Sequence, residues 1–228
     1  EGSMDMNAKS AGLLIFLAAL LAACEQEPAA PEGPAPAEPA AEEPTVEEPA
    51  DPVEPEPLPS PSFEDYLAAL ALRESSGNPN AENSLGYLGL YQTGEIALID
   101  VDWYRETPPD ETRRNDWAGA WLSRAQTNGT NSKATYLGNV PAQNAAIRRY
   151  YDKVWIYIKY YGLNDYEGET VNGIVITRSG LLAGWHLLGG GLIDYLESGG
   201  ADTPADGYGT TIEEYISTFG GYDTPYTD

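Results

Sequence analysis

The sequence predicts a mainly α-helical domain preceded by a disordered linker rich in Pro, Glu and Ala. Three observations carry this reading. Apolar residues beyond position 62 recur mostly at helical spacing, only one short stretch alternates as a strand would, and residues 25–61 contain almost nothing apolar larger than Ala.

Taken in order along the chain, Glu1 to Asp5 read as an appended or variable start. One positive charge at Lys9 then precedes an apolar run over 11–23. As a helix that run covers only about 20 Å, short of the roughly 30 Å core of a bilayer, so it reads as the centre of a signal peptide. We assign residues 1–23 to that peptide. Residues 25–61 hold 12 of the 18 prolines and 11 acids. Such a segment cannot bury enough surface to offset the entropy of ordering, so it is expected to stay extended, a tether reaching at most roughly 115 Å.

The remaining residues, 62–228, are enough for one core. Ser62 with Glu64 and Asp65 offers an N-cap and first-turn acids. Phe63, Tyr66, Leu67, Leu70 and Ala71 share a helical face, and Gly77-Asn78-Pro79 ends the first helix near Ser76. Further helices are expected over 94–104, 117–126, 141–161 (Pro141 in its first turn, Gly162 after its last), 178–188, 192–197 and 211–219. Residues 170–176 alternate and read as a strand.

Composition narrows the function. With 36 acidic against 12 basic residues the formal net charge is −24, and residues 62–228 alone carry −12. That balance repels nucleic acid and anionic lipid, and disfavours a strongly anionic substrate unless a local positive patch receives it. One cysteine and one histidine exclude an intramolecular disulfide and a metal site built on several thiolates or imidazoles. No phosphate-binding glycine loop, His-Glu-x-x-His or Gly-x-Ser-x-Gly occurs, and Gly189-Gly190-Gly191 lacks the strand and spacing a dinucleotide site needs. Residues 202–209 are rich in Asp and Gly but have the wrong ligand spacing for calcium, so they read as a loop. No cofactor and no metal are expected.

Chemistry concentrates where the first helix ends. Counted from Glu74 in Arg73-Glu74-Ser75-Ser76-Gly77, Gly86 lies at +12, Gly89 at +15, Leu90 at +16 and Gln92 at +18. This ungapped set resembles the signature of the lytic transglycosylases and the related goose-type lysozymes. The resemblance covers about 20 residues well. It implies a lysozyme-like fold and cleavage of peptidoglycan between N-acetylmuramic acid and N-acetylglucosamine. It further implies that Glu74 protonates the bridging oxygen and then takes the proton of the sugar's own C6 hydroxyl, closing a 1,6-anhydro ring. A carboxyl at the end of an apolar helix in a cleft suits the acid role, because desolvation disfavours its charged form.

Around Glu74 several residues have a cleft reading and a bland one. Ser75 either hydrogen-bonds in the cleft or caps the helix end. Gly86 and Gly89 either admit a flat sugar ring close to the backbone or are ordinary turn glycines. Gln92 either lines the cleft or is a buried amide, and Tyr87 and Tyr91, flanking Gly89, are candidates to stack on sugar. Glu95 is the best candidate for a second carboxylate, which would shift the reaction towards hydrolysis; otherwise it is a first-turn acid favoured by the helix dipole. Leu182-Ala183-Gly184-Trp185-His186 resembles a second block of the same family with Trp for Tyr and His for Asn. His186 is therefore a candidate cleft donor or a core residue, and Tyr195 either faces the acid or packs in the core.

Finally, Leu21-Ala22-Ala23-Cys24 resembles the lipobox of bacterial lipoproteins. That resemblance implies lipidation of Cys24, a mature chain beginning there, and, because Glu25 follows, an outer-membrane anchor facing the periplasm. Two rivals stay open: a muramidase hydrolysing the same bond, and a non-catalytic glycan-binding lipoprotein.

Overall fold

A computed structural model describes residues 59–106 and 115–227. The expected signal peptide and Cys24 lie outside these residues, as does nearly all of the expected tether; residues 59–62 precede the first helix without regular structure.

Helix α1, Phe63–Ser75, begins where its sequence said it should. The Ser62 side chain accepts from the Asp65 amide while Asp65 accepts from the Ser62 amide, a reciprocal cap. It buries Tyr66, Leu67, Leu70 and Ala71. Ser76 turns left-handed at φ 54°, and the Gly77 amide reaches back to the Ala71 carbonyl, closing the helix and leaving Glu74 on its last turn.

The other helices are α2 (Glu95–Asp100), α3 (Ser123–Thr127), α4 (Lys133–Tyr136), α5 (Val140–Tyr160), α6 (Arg178–Leu188), α7 (Gly191–Glu197) and α8 (Ile212–Thr218). A 3₁₀ turn spans Leu163–Tyr166. Two antiparallel ribbons complete the described residues: β1 (Tyr104–Arg105) with β2 (Ala120–Trp121), and β3 (Thr170–Val171) with β4 (Ile174–Val175).

Helix α5 is the axis. Its Asn139 cap and Pro141 start a helix of 21 residues. At its N-terminal end Ala142 and Ala146 belong to a cluster with Leu88, Leu98, Trp103, Tyr104, Trp121 and Tyr136. Farther along, Ile147, Tyr151, Val154, Trp155 and Ile158 join a second cluster made with α1, α6, α7 and α8. Within that second cluster α6 and α8 approach closely: a Cβ on Gly180 would sit 3.0 Å from the Ile216 carbonyl oxygen.

Three sequence expectations are corrected. The helix over 94–104 stops at Asp100, because Asp102 turns left-handed (φ 59°) and the chain enters β1. Residues 117–121 are not helical: Trp117 has φ 59° and stacks on Trp121, and Ala120–Trp121 pairs with Tyr104–Arg105, leaving only α3 as helix. The strand over 170–176 is a hairpin, with Asn172 and Gly173 both at positive φ (46° and 80°) in its turn, the backbone an Asn-Gly pair favours.

What positions the glycine-rich loop after α1 is a buried amide. Gln143 of α5 is fully buried; its Oε1 accepts from the Leu90 amide at 2.8 Å, and its Nε2 donates to the Pro79 and Tyr136 carbonyls, each at 2.9 Å. Replacing it by Leu strands the Leu90 amide, while the Pro79 and Tyr136 carbonyls keep the amides of Gly138 and Asn139. Gln143→Leu is expected to lower stability by about 2 kcal/mol, read as a lower urea midpoint at unchanged m.

Candidate active site

The last turn of α1, the loop over 83–92, the C-terminal end of α6, the loop over 206–210 and α8 enclose a cavity of about 560 Å³. Glu74 lies in it with its side chain 15 % exposed. Tyr215 of α8 donates its hydroxyl to Glu74 Oε1 at 2.5 Å. Burial first, and the neighbouring Glu74 charge second, push the Tyr215 phenol far up, so it remains a donor at any ordinary pH. From the outer side the Arg73 guanidinium lies 5.7 Å from the Tyr215 ring centroid and pairs with Glu214 at 2.5 Å, holding the ring in place.

His186 closes the other flank. Its Nε2 is 3.5 Å from Glu74 Oε1, and its Nδ1 is 3.3 Å from the Tyr151 hydroxyl. Tyr151 in turn accepts from the buried Tyr66 hydroxyl at 2.9 Å. The imidazole also hydrogen-bonds the Tyr91 backbone, so the Tyr151 hydroxyl and the Tyr91 carbonyl together fix the ring beside Glu74. Burial lowers the His186 pKa; the adjacent Glu74 charge opposes this without overcoming it.

Of the residues expected from sequence, Glu74, Tyr87, Gln92 and His186 line this one cavity. Gln92 is left-handed (φ 44°), and its Nε2 donates to the Gly89 carbonyl at 3.0 Å, which pins the side chain to the wall.

The others serve the scaffold. Ser75 Oγ lies 3.0 Å from the Ala71 carbonyl oxygen and 2.9 Å from that of Leu90, tying the helix end to the loop and not facing the cavity. Gly89, at φ 74°, is bare because Gln143 occupies the space of a side chain: a Cβ there would come within 2.5 Å of Gln143 Oε1. Gly86 lies against Asn115 and accepts at its carbonyl from Trp117 Nε1. Tyr91 is buried and donates to Asn144 Oδ1 at 2.6 Å, with its phenol pushed up to about 12 by burial. Tyr195 is fully buried in the core on α7, and the tyrosine beside Glu74 is Tyr215. Glu95 is buried at the start of α2, accepts from the Trp117 amide, and does not line the cavity. Burial raises its pKa, and the Trp117 amide only partly offsets that.

Asp206 is the second carboxylate that lines the cavity, and sequence reasoning missed it. Its Oδ1 accepts from the amides of Tyr208 (2.9 Å) and Thr210 (2.8 Å), so it builds the turn it sits in. Tyr215, Tyr208 and Tyr151 were also missed as site residues. Asp-x-Tyr-x-Thr is a readable turn signal, but nothing local in the sequence joins Tyr215 to a residue 141 positions earlier. Among the described residues no group of His, Cys, Asp and Glu could hold a metal ion.

Compared with protein-family models, curated proteins and solved structures, the chain has no significant match.

Two titrations test these placements. Glu95 has a raised folded pKa, so its contribution to stability is present at low pH and is lost as pH rises upward from about 4.5. Glu95→Gln is therefore expected to gain stability relative to the unaltered protein between pH 4 and pH 7 in paired denaturant titrations. His186 behaves in the opposite sense: its folded pKa is lowered, so its contribution is present above 6.5 and is lost as pH falls below it. The unaltered protein's advantage over His186→Asn should shrink from pH 7 to pH 5 in thermal melts.

Proposed function

We propose that the chain carries a lysozyme-like domain that acts as a lytic transglycosylase on peptidoglycan, with Glu74 as its acid and base. The observation that carries this reading is a single largely buried carboxylate in a cavity, met by a phenol donor and by a neutral imidazole, with the other lining carboxylate committed to its own turn. One such group is sufficient for intramolecular closure, whereas hydrolysis by the common two-carboxylate routes needs a second.

In the proposed reaction Glu74 gives its proton to the O4 leaving oxygen as the muramic acid C1–O4 bond breaks. As a carboxylate it then removes the proton from the C6 hydroxyl of the same sugar while O6 bonds to C1. Glu74 ends protonated as it began, and no water is consumed. Tyr215 stabilises the carboxylate stage by donating to Oε1, and His186 stands 3.5 Å from the same oxygen with its charged form disfavoured by burial. Exposed faces of Tyr87 and Tyr208 give the walls aromatic surface for the apolar faces of sugar rings. Arg73 also lines the cavity; with its charge paired to Glu214, its remaining N–H groups are donors for the lactyl and peptide carboxylates of the polymer.

The proposal extends to the cell envelope. Residues 1–23 are removed as a signal peptide, Cys24 carries lipid at the outer membrane facing the periplasm, and residues 24–61 let the domain reach the glycan layer.

Mass spectrometry of digested sacculi is the test. The unaltered protein is expected to release 1,6-anhydro-muropeptides, and Glu74→Gln to reduce release at least about a thousandfold, the scale of losing a proton-transfer group together with its leaving-group role. Reducing-end products would make it a muramidase, and absence of product a glycan-binding protein.

A further inference from the structure

The two loops that wall the cavity meet across its rim. Ser84 Oγ and the Tyr208 hydroxyl lie 2.8 Å apart, and a Cβ built on Gly207 would stand 3.7 Å from Leu85 Cδ1. Leu85 and Tyr208 are more than half exposed while Glu74 beneath is mostly covered, so the contact lies at the surface and not on the floor.

Both loop tips are built to stay where they are. Asn83 Oδ1 accepts from the amides of Leu85 and Tyr87, Asn115 Nδ2 donates to the Leu85 carbonyl, and Trp117 Nε1 donates to that of Gly86. Opposite, Asp206 accepts from the amides of Tyr208 and Thr210, and the Asp206 amide donates to the Thr210 carbonyl. An interior stretch of a polymer leaves a binding groove at both sides and needs that groove open along its length. A groove crossed at the rim admits a chain only by its end.

We propose that the Ser84–Tyr208 and Leu85–Gly207 contacts make this protein act on the ends of glycan strands. The inference rests on the glycan-cleaving reading above and specifies its substrate as strand termini.

Two measurements separate the inference from that reading. The first follows strand lengths by chromatography during digestion of amidase-stripped glycan strands. End action releases fragments of one small size from the earliest times, while the residual strands shorten gradually. Tyr208→Ala, confirmed folded by its thermal midpoint, is expected to raise the early share of long interior fragments several-fold. Interior fragments from the unaltered protein at the outset overturn the proposal, and so does a Tyr208→Ala variant that still cuts only ends. The second measurement needs no turnover: Glu74→Gln is bound to strands of equal sugar mass and different mean length. Cutting the mean length tenfold should raise bound protein roughly tenfold, by mass action on the number of ends. Binding that follows sugar mass instead overturns the end-specific inference even where cleavage is absent; binding that follows ends with no cleavage sustains it and overturns only the catalytic reading.

Discussion

A primary amide sunk between helices loses water at three or four hydrogen-bonding positions and must recover partners from whatever backbone passes nearby. Gln143 recovers them from Pro79, Tyr136 and Leu90. Two of these belong to the stretch that follows α1, so one side chain fixes both the departure of that loop and its return. Gly89 is bare to admit the amide, and Ser75 ties the helix end to the same strand of loop at Leu90. Glu74 sits beside Ser75. Its position relative to Tyr87 and Gln92 is thus a consequence of how an amide on a different helix satisfies itself.

The surroundings of Glu74 have a consistent character: the phenol that donates to it and the imidazole beside it are both held uncharged. Tyr215 is held protonated and His186 is held neutral, both by burial. The one guanidinium nearby, Arg73, is balanced by Glu214 at the surface. In the proposed reaction the carboxyl passes through both protonation states, and a strong permanent ion pair, which favours the charged state throughout, would serve that poorly. Hydrogen bonds from neutral donors discriminate less, and they can follow the proton.

Much of this was readable from the chain alone, for identifiable reasons. Helices α1, α5, α6 and α8 announce themselves through caps and a one-sided apolar pattern, because local geometry decides them. Glu74 and Gln92 were singled out through the resemblance of the stretch that contains them to a family signature, and both line one cavity. The β1–β2 ribbon escaped notice because its apolar residues, Trp103, Tyr104, Trp117 and Trp121, are also spaced plausibly for helix. Only packing of Trp117 on Trp121 and of Tyr104 against both resolves the choice. Glycine roles stayed open for a related reason: a bare backbone position does not say whether substrate or protein fills the space, and at Gly89 the Gln143 amide on α5 fills it. Tyr215 went unnoticed because its approach to Glu74 depends on where α8 packs, which no short window of sequence contains.

Helix α5 carries Gln143, which sets the loop wall, and Tyr151, which holds His186 on the opposite flank. They stand eight residues apart on one uninterrupted helix, about 12 Å along its axis. Because that helix is clamped by a hydrophobic cluster near each end, it acts as a rigid ruler: the width of the cleft is written in covalent spacing, not in the balance of weak contacts at its mouth. The loop tips, each held by its own hydrogen bonds, could then be lengthened or trimmed without moving Glu74 or the helix beneath it.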